Sequence, residues 1–441
     1  MGHAAKFMRN GVFVKSAQST KCKHSEVSQI DIDYMQAALA LAKLAGSDAS
    51  PNPQVGCVVV REGSILGFGY HQRSGWPHAE REALACARER GIDVRGACAY
   101  VTLEPCNHTG KTPPCTNALI DAGVARVVIG GADPNPLVAG AGVLRLRSAG
   151  IDVVELYKLK EDHRITALCK QLNNLNHGFF SRITRGLPYV VAKYAMTLDG
   201  KIATYTGASK WITGEVARRR VYVERARTDA VVTGVGTVLA DNPSFTSRID
   251  EFSRSLLLNE DDMRALAAVG LDSKTCIDTQ KANTPQPIRV VCDTNLRMPK
   301  DCALVRSAGD MYSGYKLRTI IATCINDSAK TESYKKLGCE VWQIDKNSAG
   351  HVDLKQLLNH LADEGINNVT LEGGSAFLGG AFDAGVVDAV EAYIAPKIFG
   401  GEGAPSPVAG IGVASPTDAP RLKNIKIENL NSDYLISGEV F

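Results

Sequence analysis

Short apolar runs bounded by turn residues set the rhythm of the first half of the chain. Val55–Val60 and Ile65–Tyr70, joined by a loop containing Gly63, predict two strands. A helix precedes them at 34–45, where Asp33 can cap, Ala and Leu fill the positions and Gly46 ends it. Ser50-Pro-Asn-Pro53 reads as a turn. The pattern becomes helical again at 78–90, just after Pro77. Strands at Cys98–Leu103, Ala125–Ile129 and Ile151–Leu156 then alternate with helices at Pro114–Ala122 and 140–149. Such alternation predicts a mostly parallel sheet covered on both faces.

A helical stretch at 159–176 runs into Arg185-Gly-Leu-Pro188, which reads as a domain boundary. Strands follow at 189–195, 229–233, 288–292, 318–323, 339–344, 367–371 and 388–395, with helical segments between most of them. Segments 424–430 and 433–441 read as an antiparallel hairpin turning at Asn431-Ser-Asp433. Residues 249–287 show no clear period and read as an inserted surface loop with one short helix. The organisation expected is an extension at 1–30, a first α/β domain at 31–180 and a second at 187–441.

Length agrees, since 441 residues exceed what one core usually serves. A net charge of +3 and an aromatic fraction of 6% give no electrostatic or stacking footprint for nucleic acid. No apolar run is long enough to cross a membrane, and no signal peptide opens the chain. Residues 1–25 are basic and free of acids; they read as a flexible extension, with an organelle transit peptide as the alternative. Twelve cysteines are spread thinly, and Cys57, Cys98, Cys292 and Cys324 fall in apolar runs. That favours a reducing, cytoplasmic setting over a disulfide scaffold.

The chemistry concentrates in His78-Ala-Glu80, Glu104-Pro-Cys106 and Pro113-Pro-Cys115. One imidazole and two thiolates make three ligands of a tetrahedral zinc and leave the fourth position for water. A carboxylate that does not ligate the metal, Glu80, can shuttle that water's proton. Base deaminases carry this H-x-E and P-C pattern, usually closed by C-x-x-C. Here the two cysteines lie nine positions apart. Cys115 stands at an expected helix start, where the dipole favours a thiolate. In the second half, Gly234-Val-Gly236-Thr-Val-Leu239 lacks the third glycine of a dinucleotide fingerprint. Glu372-Gly-Gly-Ser375 follows a strand and opens a helix. It reads equally as a phosphate cradle or as a tight turn.

The run Tyr100-Val-Thr-Leu-Glu-Pro-Cys106-Asn-His-Thr-Gly-Lys-Thr-Pro-Pro-Cys115 resembles the deaminase domain of the bifunctional riboflavin-biosynthesis enzymes. Their two zinc cysteines are split by a loop of this kind. Ala195-Met-Thr-Leu-Asp-Gly-Lys201, Ser209-Lys-Trp-Ile-Thr213, Gly234 to Pro243 and Leu371-Glu-Gly-Gly374 occur in the order of the same family's reductase half. The resemblance implies a cytidine-deaminase-like three-layer α/β/α domain followed by a dihydrofolate-reductase-like α/β domain. It implies one zinc on His78, Cys106 and Cys115, with Glu80 catalytic. It gives Asn52, His71, Lys111, Asp133 and Asn135 to a pyrimidine ribosylamine 5′-phosphate. It gives Ala195, Trp211, Thr237, Asp241, Thr294, Gly373 and Gly374 to NADPH. Lys193, Ser209, Arg225, Arg248 and Glu372 go to the sugar-phosphate substrate of the reduction. A homodimer through the second domain is also implied. The competing reading is a nucleic-acid base deaminase with an appended binding module.

Overall fold

The computed structural model describes residues 27–108, 113–135, 139–250, 256–278 and 284–441. Most of the expected 1–30 extension therefore lies outside the described residues. The chain divides into two compact units, one of 1–184 with 254–282 and one of 185–253 with 283–441.

The first unit opens with helix α1 (Gln29–Lys43). Ser28, not Asp33, caps it: the Ser28 hydroxyl and amide bond the Asp31 carboxyl in a capping box. Asp33 lies inside the first turns, where it accepts from the Gln29 side chain. Strands β1 (Gly56–Arg61), β2 (Ser64–Tyr70), β3 (Cys98–Val101), β4 (Arg126–Ile129) and β5 (Asp152–Glu155) form one sheet in the order β2-β1-β3-β4-β5. β1 runs antiparallel to β2 and β3, while β3, β4 and β5 run parallel. Alternate residues face opposite sides, as a strand's period of two requires. Val58, Val60, Tyr100 and Val128 meet α1 and α5 (His163–Leu175). Cys57, Val59, Ala99, Val101 and Ile129 meet α2 (Ala79–Glu89), α3 (Cys115–Asp121) and α4 (Ala141–Ser148). α2 lies close on β2 because Gly67 is bare: a Cβ there would fall 2.2 Å from the Ala83 carbonyl oxygen. A further helix, α6 (His177–Arg185), runs up to the stretch read as a boundary.

The segment 249–287 differs from the expected surface loop. Its described residues form two helices, Glu260–Ala268 and Ser273–Asp278. Leu258, Leu266, Leu271 and Cys276 are buried in the same core as α1. Lys43 pairs with Asp262. The reason is visible in α1, which is apolar almost all round and so needs cover on more than its sheet face.

The second unit is built on a sheet of nine strands. They are β6 (Tyr189–Thr197), β7 (Ala230–Gly234), β8 (Ile288–Cys292), β11 (Thr319–Thr323), β12 (Glu340–Gln343), β13 (Asn368–Glu372), β14 (Ala389–Ala395), β15 (Leu422–Leu430) and β16 (Asp433–Val440). A separate small hairpin pairs β9 (Met311–Tyr312) with β10 (Tyr315–Lys316). The order in the large sheet is β12-β11-β8-β7-β13-β6-β14-β16-β15. The run from β12 to β14 is parallel, and the closing hairpin β15–β16 is antiparallel. Helices Leu354–Asp363 and Ser375–Asp383 cover one face. α7 (Glu215–Arg227) and α8 (Val235–Asp241) contribute to clusters on the other.

The inserted helices can be tested through α1. Leu266→Ala should cost about 2–5 kcal/mol of local stability, as buried Leu truncations do. Amide exchange should accelerate in α1 and stay unchanged in β6, β7 and β13. Equal exchange in α1 would show that the insertion does not support it.

Candidate active sites

In the first unit three segments converge at the carboxyl edge of the sheet. His78 precedes the first residue of α2, Cys115 opens α3, and Cys106 lies on the loop that leaves β3. His78 Nδ1 stands 3.5 Å from Cys106 Sγ and 3.4 Å from Cys115 Sγ. A tetrahedral zinc, with bonds of about 2.3 Å to sulfur and 2.0–2.1 Å to nitrogen, separates such atoms by about 3.6 Å. The three donor atoms all lie within 4.8 Å of one another. Hydrogen bonding from Cys115 lowers the Cys106 thiol to about 4, and the same bond raises Cys115. A cation bound by both sulfurs would favour their deprotonation.

Several bonds hold the segments in place. The Arg81 guanidinium donates to the carbonyls of Pro113 and Pro114, tying α2 to the start of α3. The Thr116 amide donates to the Cys106 carbonyl at 3.2 Å. The Thr116 hydroxyl donates to Asn107 Oδ1 at 2.8 Å. Glu80 is buried in the wall of the site, and that burial raises its carboxyl pKa.

A cavity of about 300 Å³ opens beside these groups. Asn52, His71, Asp133 and Asn135 line it, as the resemblance implies. His71 is lowered to about 4 by burial, so it is neutral near pH 7. Its Nδ1–H donates to the Pro77 carbonyl, and its Nε2 accepts from Asn52 Nδ2. Burial raises Asp133 to about 6 although the Asn135 amide donates to it. Lys111 lies outside the described residues. Trp76, His108 and Phe179 also line the cavity and carry no sequence motif of their own. Phe179 comes from α6, which lies beyond the helical stretch expected at 159–176.

In the second unit, Lys193, Glu372 and Glu391 stand in register across β13, β6 and β14. Arg225 reaches this row from α7. Its Nε and Nη2 donate to the two Glu372 oxygens at 2.8 and 2.9 Å, while Lys193 Nζ lies 3.3 Å from Oε2. Burial acts to raise Glu372, but Arg225 and Lys193 outweigh it and hold the carboxyl at about 2. The resemblance gives Arg225 to a phosphate, yet the structure spends two of its donors on Glu372. A buried carboxylate without such pairing is costly. Arg248 adjoins this group through Thr246, whose hydroxyl accepts from it and whose carbonyl accepts from Arg225.

A second group gathers at the glycine turn. The Gly374 amide donates to Thr237 Oγ1 at 3.0 Å. No side chain caps α8 or the helix that starts after Gly374, and a Cβ on Gly236 would meet nothing. Open N–H groups at uncapped helix starts suit a pyrophosphate. Ser209 donates to Asp241 at 2.8 Å. Ala195 sits half-buried on β6 beside the cluster of Tyr393 and Leu435. Thr294 Oγ1 accepts from the Val352 amide, and Trp211 is exposed beneath Arg218.

A three-layer domain with a His–Cys–Cys cluster and a buried glutamate, joined to a parallel-sheet domain with a glycine turn, defines a deaminase linked to a reductase. Residues 28–131 match the cytidine and deoxycytidylate deaminase zinc-binding region, and residues 188–436 match the RibD C-terminal domain. The chain is 43% identical over 406 residues to riboflavin biosynthesis protein RibD of Actinobacillus pleuropneumoniae, covering 92% of this chain and 94% of that one. It is 39% identical to RibD of Escherichia coli strain K12, covering 91% and 97%. The solved structure of Acinetobacter baumannii RibD, form 1, superposes with a TM-score of 0.73 at 32% identity, over 93% of this chain and 99% of that one. A diaminohydroxyphosphoribosylaminopyrimidine deaminase/5-amino-6-(5-phosphoribosylamino)uracil reductase from Thermotoga maritima gives the same score and identity.

The chain belongs to the RibD family of riboflavin biosynthesis proteins, bifunctional enzymes with a deaminase and a reductase on one chain. The match of the second half disfavours an appended nucleic-acid module. No helix among the described residues is long and apolar enough to cross a membrane.

Removing Arg225 should expose the cost of its partner. Arg225→Ala strands a buried Glu372 with Lys193 alone and should destabilise the second unit by about 3 kcal/mol. Urea unfolding followed by circular dichroism checks this. A loss below about 0.5 kcal/mol would mean that the pair is not buried as described.

Proposed function

We propose that the first unit deaminates a pyrimidine ribosylamine 5′-phosphate at a ring amino group, and that the second unit then reduces its ribosyl group to ribityl with NADPH. The observation that carries the first step is the meeting of His78, Cys106 and Cys115 beside buried Glu80. The donor set and its spacing fit zinc. Zinc bound there supplies water whose pKa is lowered to about 7. Glu80 takes a proton from the attacking water and delivers protons to the ring nitrogen and to the departing ammonia. Water adds to the ring carbon as the ring nitrogen is protonated, forming the C–O bond, and the C–N bond to the protonated amino group then breaks with loss of ammonia. Asn52, His71, Asp133 and Asn135 orient the ring and ribose, and Lys111 meets the phosphate.

The uncapped helix starts around Gly236 and Gly374 fit the NADPH pyrophosphate, with Ala195, Trp211, Thr237, Asp241, Thr294 and Gly373 completing that site. NADPH supplies the hydride for C1 of the opened ribosylamine. Glu372, held at about 2 by Arg225 and Lys193, is ionised near neutral pH. The Lys193 ammonium beside it gives the proton to the substrate nitrogen, while Glu372 and Arg225 fix its position. Ser209 and Arg248 hold the sugar phosphate. We place the enzyme in the cytoplasm, where its described cysteines, all free thiols, persist. We also propose that it works as a homodimer through the second unit.

Metal analysis should find about one zinc per chain, lost in Cys106→Ser and Cys115→Ser. Glu80→Gln should retain zinc yet lose deamination by at least about 100-fold. Full metal content in both serine variants, or an active Glu80→Gln, would break the assignment.

For the second unit, supplying the deaminated substrate with NADPH should yield the ribitylamine, identified by mass spectrometry. Lys193→Ala should lower kcat more than it raises KM for NADPH. An unchanged kcat would remove Lys193 from the reduction.

A further inference from the structure

We propose that Glu104 is a positioning residue that locks a candidate zinc ligand and the candidate substrate loop into one unit. The inference rests on the deaminase reading above and deepens it.

Helix α4 begins without the usual local cap. Its N-cap residue is Gly140, which has no side chain to accept from the first turn. Glu104 fills that role from 36 residues earlier in the chain. Its Oε2 accepts from the Gly140 amide at 3.0 Å. Its Oε1 accepts from the amides of Gly142 and Val143 at 3.0 and 3.3 Å. The carboxyl is buried, and a negative group at a helix N-terminus is favoured by the dipole as well as by these bonds.

What Glu104 joins gives the contact its meaning. On one side, Pro105 and Cys106 follow it directly. α4 presses on that turn so closely that a Cβ on Gly142 would fall 2.1 Å from the Pro105 carbonyl oxygen. On the other side, the chain from Asp133 runs into α4: the Ala139 amide donates to the Asn135 carbonyl, just before Gly140. The Glu104 amide also donates to the Gly131 carbonyl at 2.9 Å, two residues ahead of Asp133. Glu104 thus ties the Cys106 loop to the start of α4 through its carboxyl and to the strand end ahead of Asp133 through its amide. Moving either shifts the metal relative to the substrate.

The test uses the full-length enzyme with Glu104→Gln and, separately, Gly142→Ala, which strains the same junction from the α4 side. Zinc affinity by chelator competition, KM for the deaminase substrate, melting temperature and reductase activity are measured for each. Both variants should weaken zinc binding by about 10-fold, in the range of lost outer-shell support. KM should rise in parallel, with reductase activity unchanged. A fall in melting temperature with normal zinc affinity and KM would reduce Glu104 to an ordinary helix cap and overturn the proposal. So would a change in zinc affinity alone or in KM alone. Wild type separates this from the underlying reading: no zinc or no deamination there fails the site assignment, whereas intact wild type with unaffected variants fails Glu104 only.

Discussion

Three soft donors carried by three separate segments must meet within the radius of one ion. That convergence is the constraint on which the first unit depends. An imidazole and two thiols at 3.4–3.5 Å make only weak hydrogen bonds to one another, so side-chain attraction alone does not gather them. The backbone brings them together instead. Parallel strands β3 and β4 end on the same edge, and α2 and α3 start there. Bare Gly67 lets α2 approach the sheet, Arg81 ties α2 to Pro113 and Pro114, and Glu104 ties the Cys106 loop to α4. The site is therefore largely assembled by hydrogen bonds to main chain, which leaves the donor atoms themselves available to a cation.

The second unit solves a related problem with opposite means. Here charge is gathered on purpose, since Glu372, Lys193 and Glu391 occupy one row of a sheet and share its α7 face. Burial raises Glu391 to about 8, with Glu224 acting in the same direction, while Glu372 is pulled down to about 2 by Arg225 and Lys193. Two carboxyl groups flanking one lysine thus sit in opposite protonation regimes. Pairs pushed apart in this way are where acid–base roles divide.

Much of this was legible from the chain. Strands such as Cys98–Val101 and Ile288–Cys292 are short apolar runs between turn residues, and both reveal themselves without tertiary knowledge. His78, Glu80, Cys106 and Cys115 were legible because their chemistry demands those residue types. Other features depended on contacts between distant residues. Ser28 caps α1 because Asp31 can reach back to it, while Asp33 offered the same residue type one turn too late. The inserted helices looked aperiodic because they bury a few residues each against α1, not a full stripe. The Arg225–Glu372 pair was hidden, because no pattern in sequence shows a carboxylate 147 residues away.

The long gap between the two cysteines has its explanation in the same terms. In C-x-x-C the short tether places both sulfurs near one another almost by itself. With eight residues between them, the tether fixes little, and loop closure carries an entropy cost that grows with length. The structure replaces the missing constraint with a ladder of local bonds. The Cys115 amide donates to Cys106 Sγ, the Thr116 amide to the Cys106 carbonyl, and the Thr116 hydroxyl to Asn107. The first turn of α3 thus grips the Cys106 turn directly, so the spacing of the two sulfurs does not rest on the length of the loop.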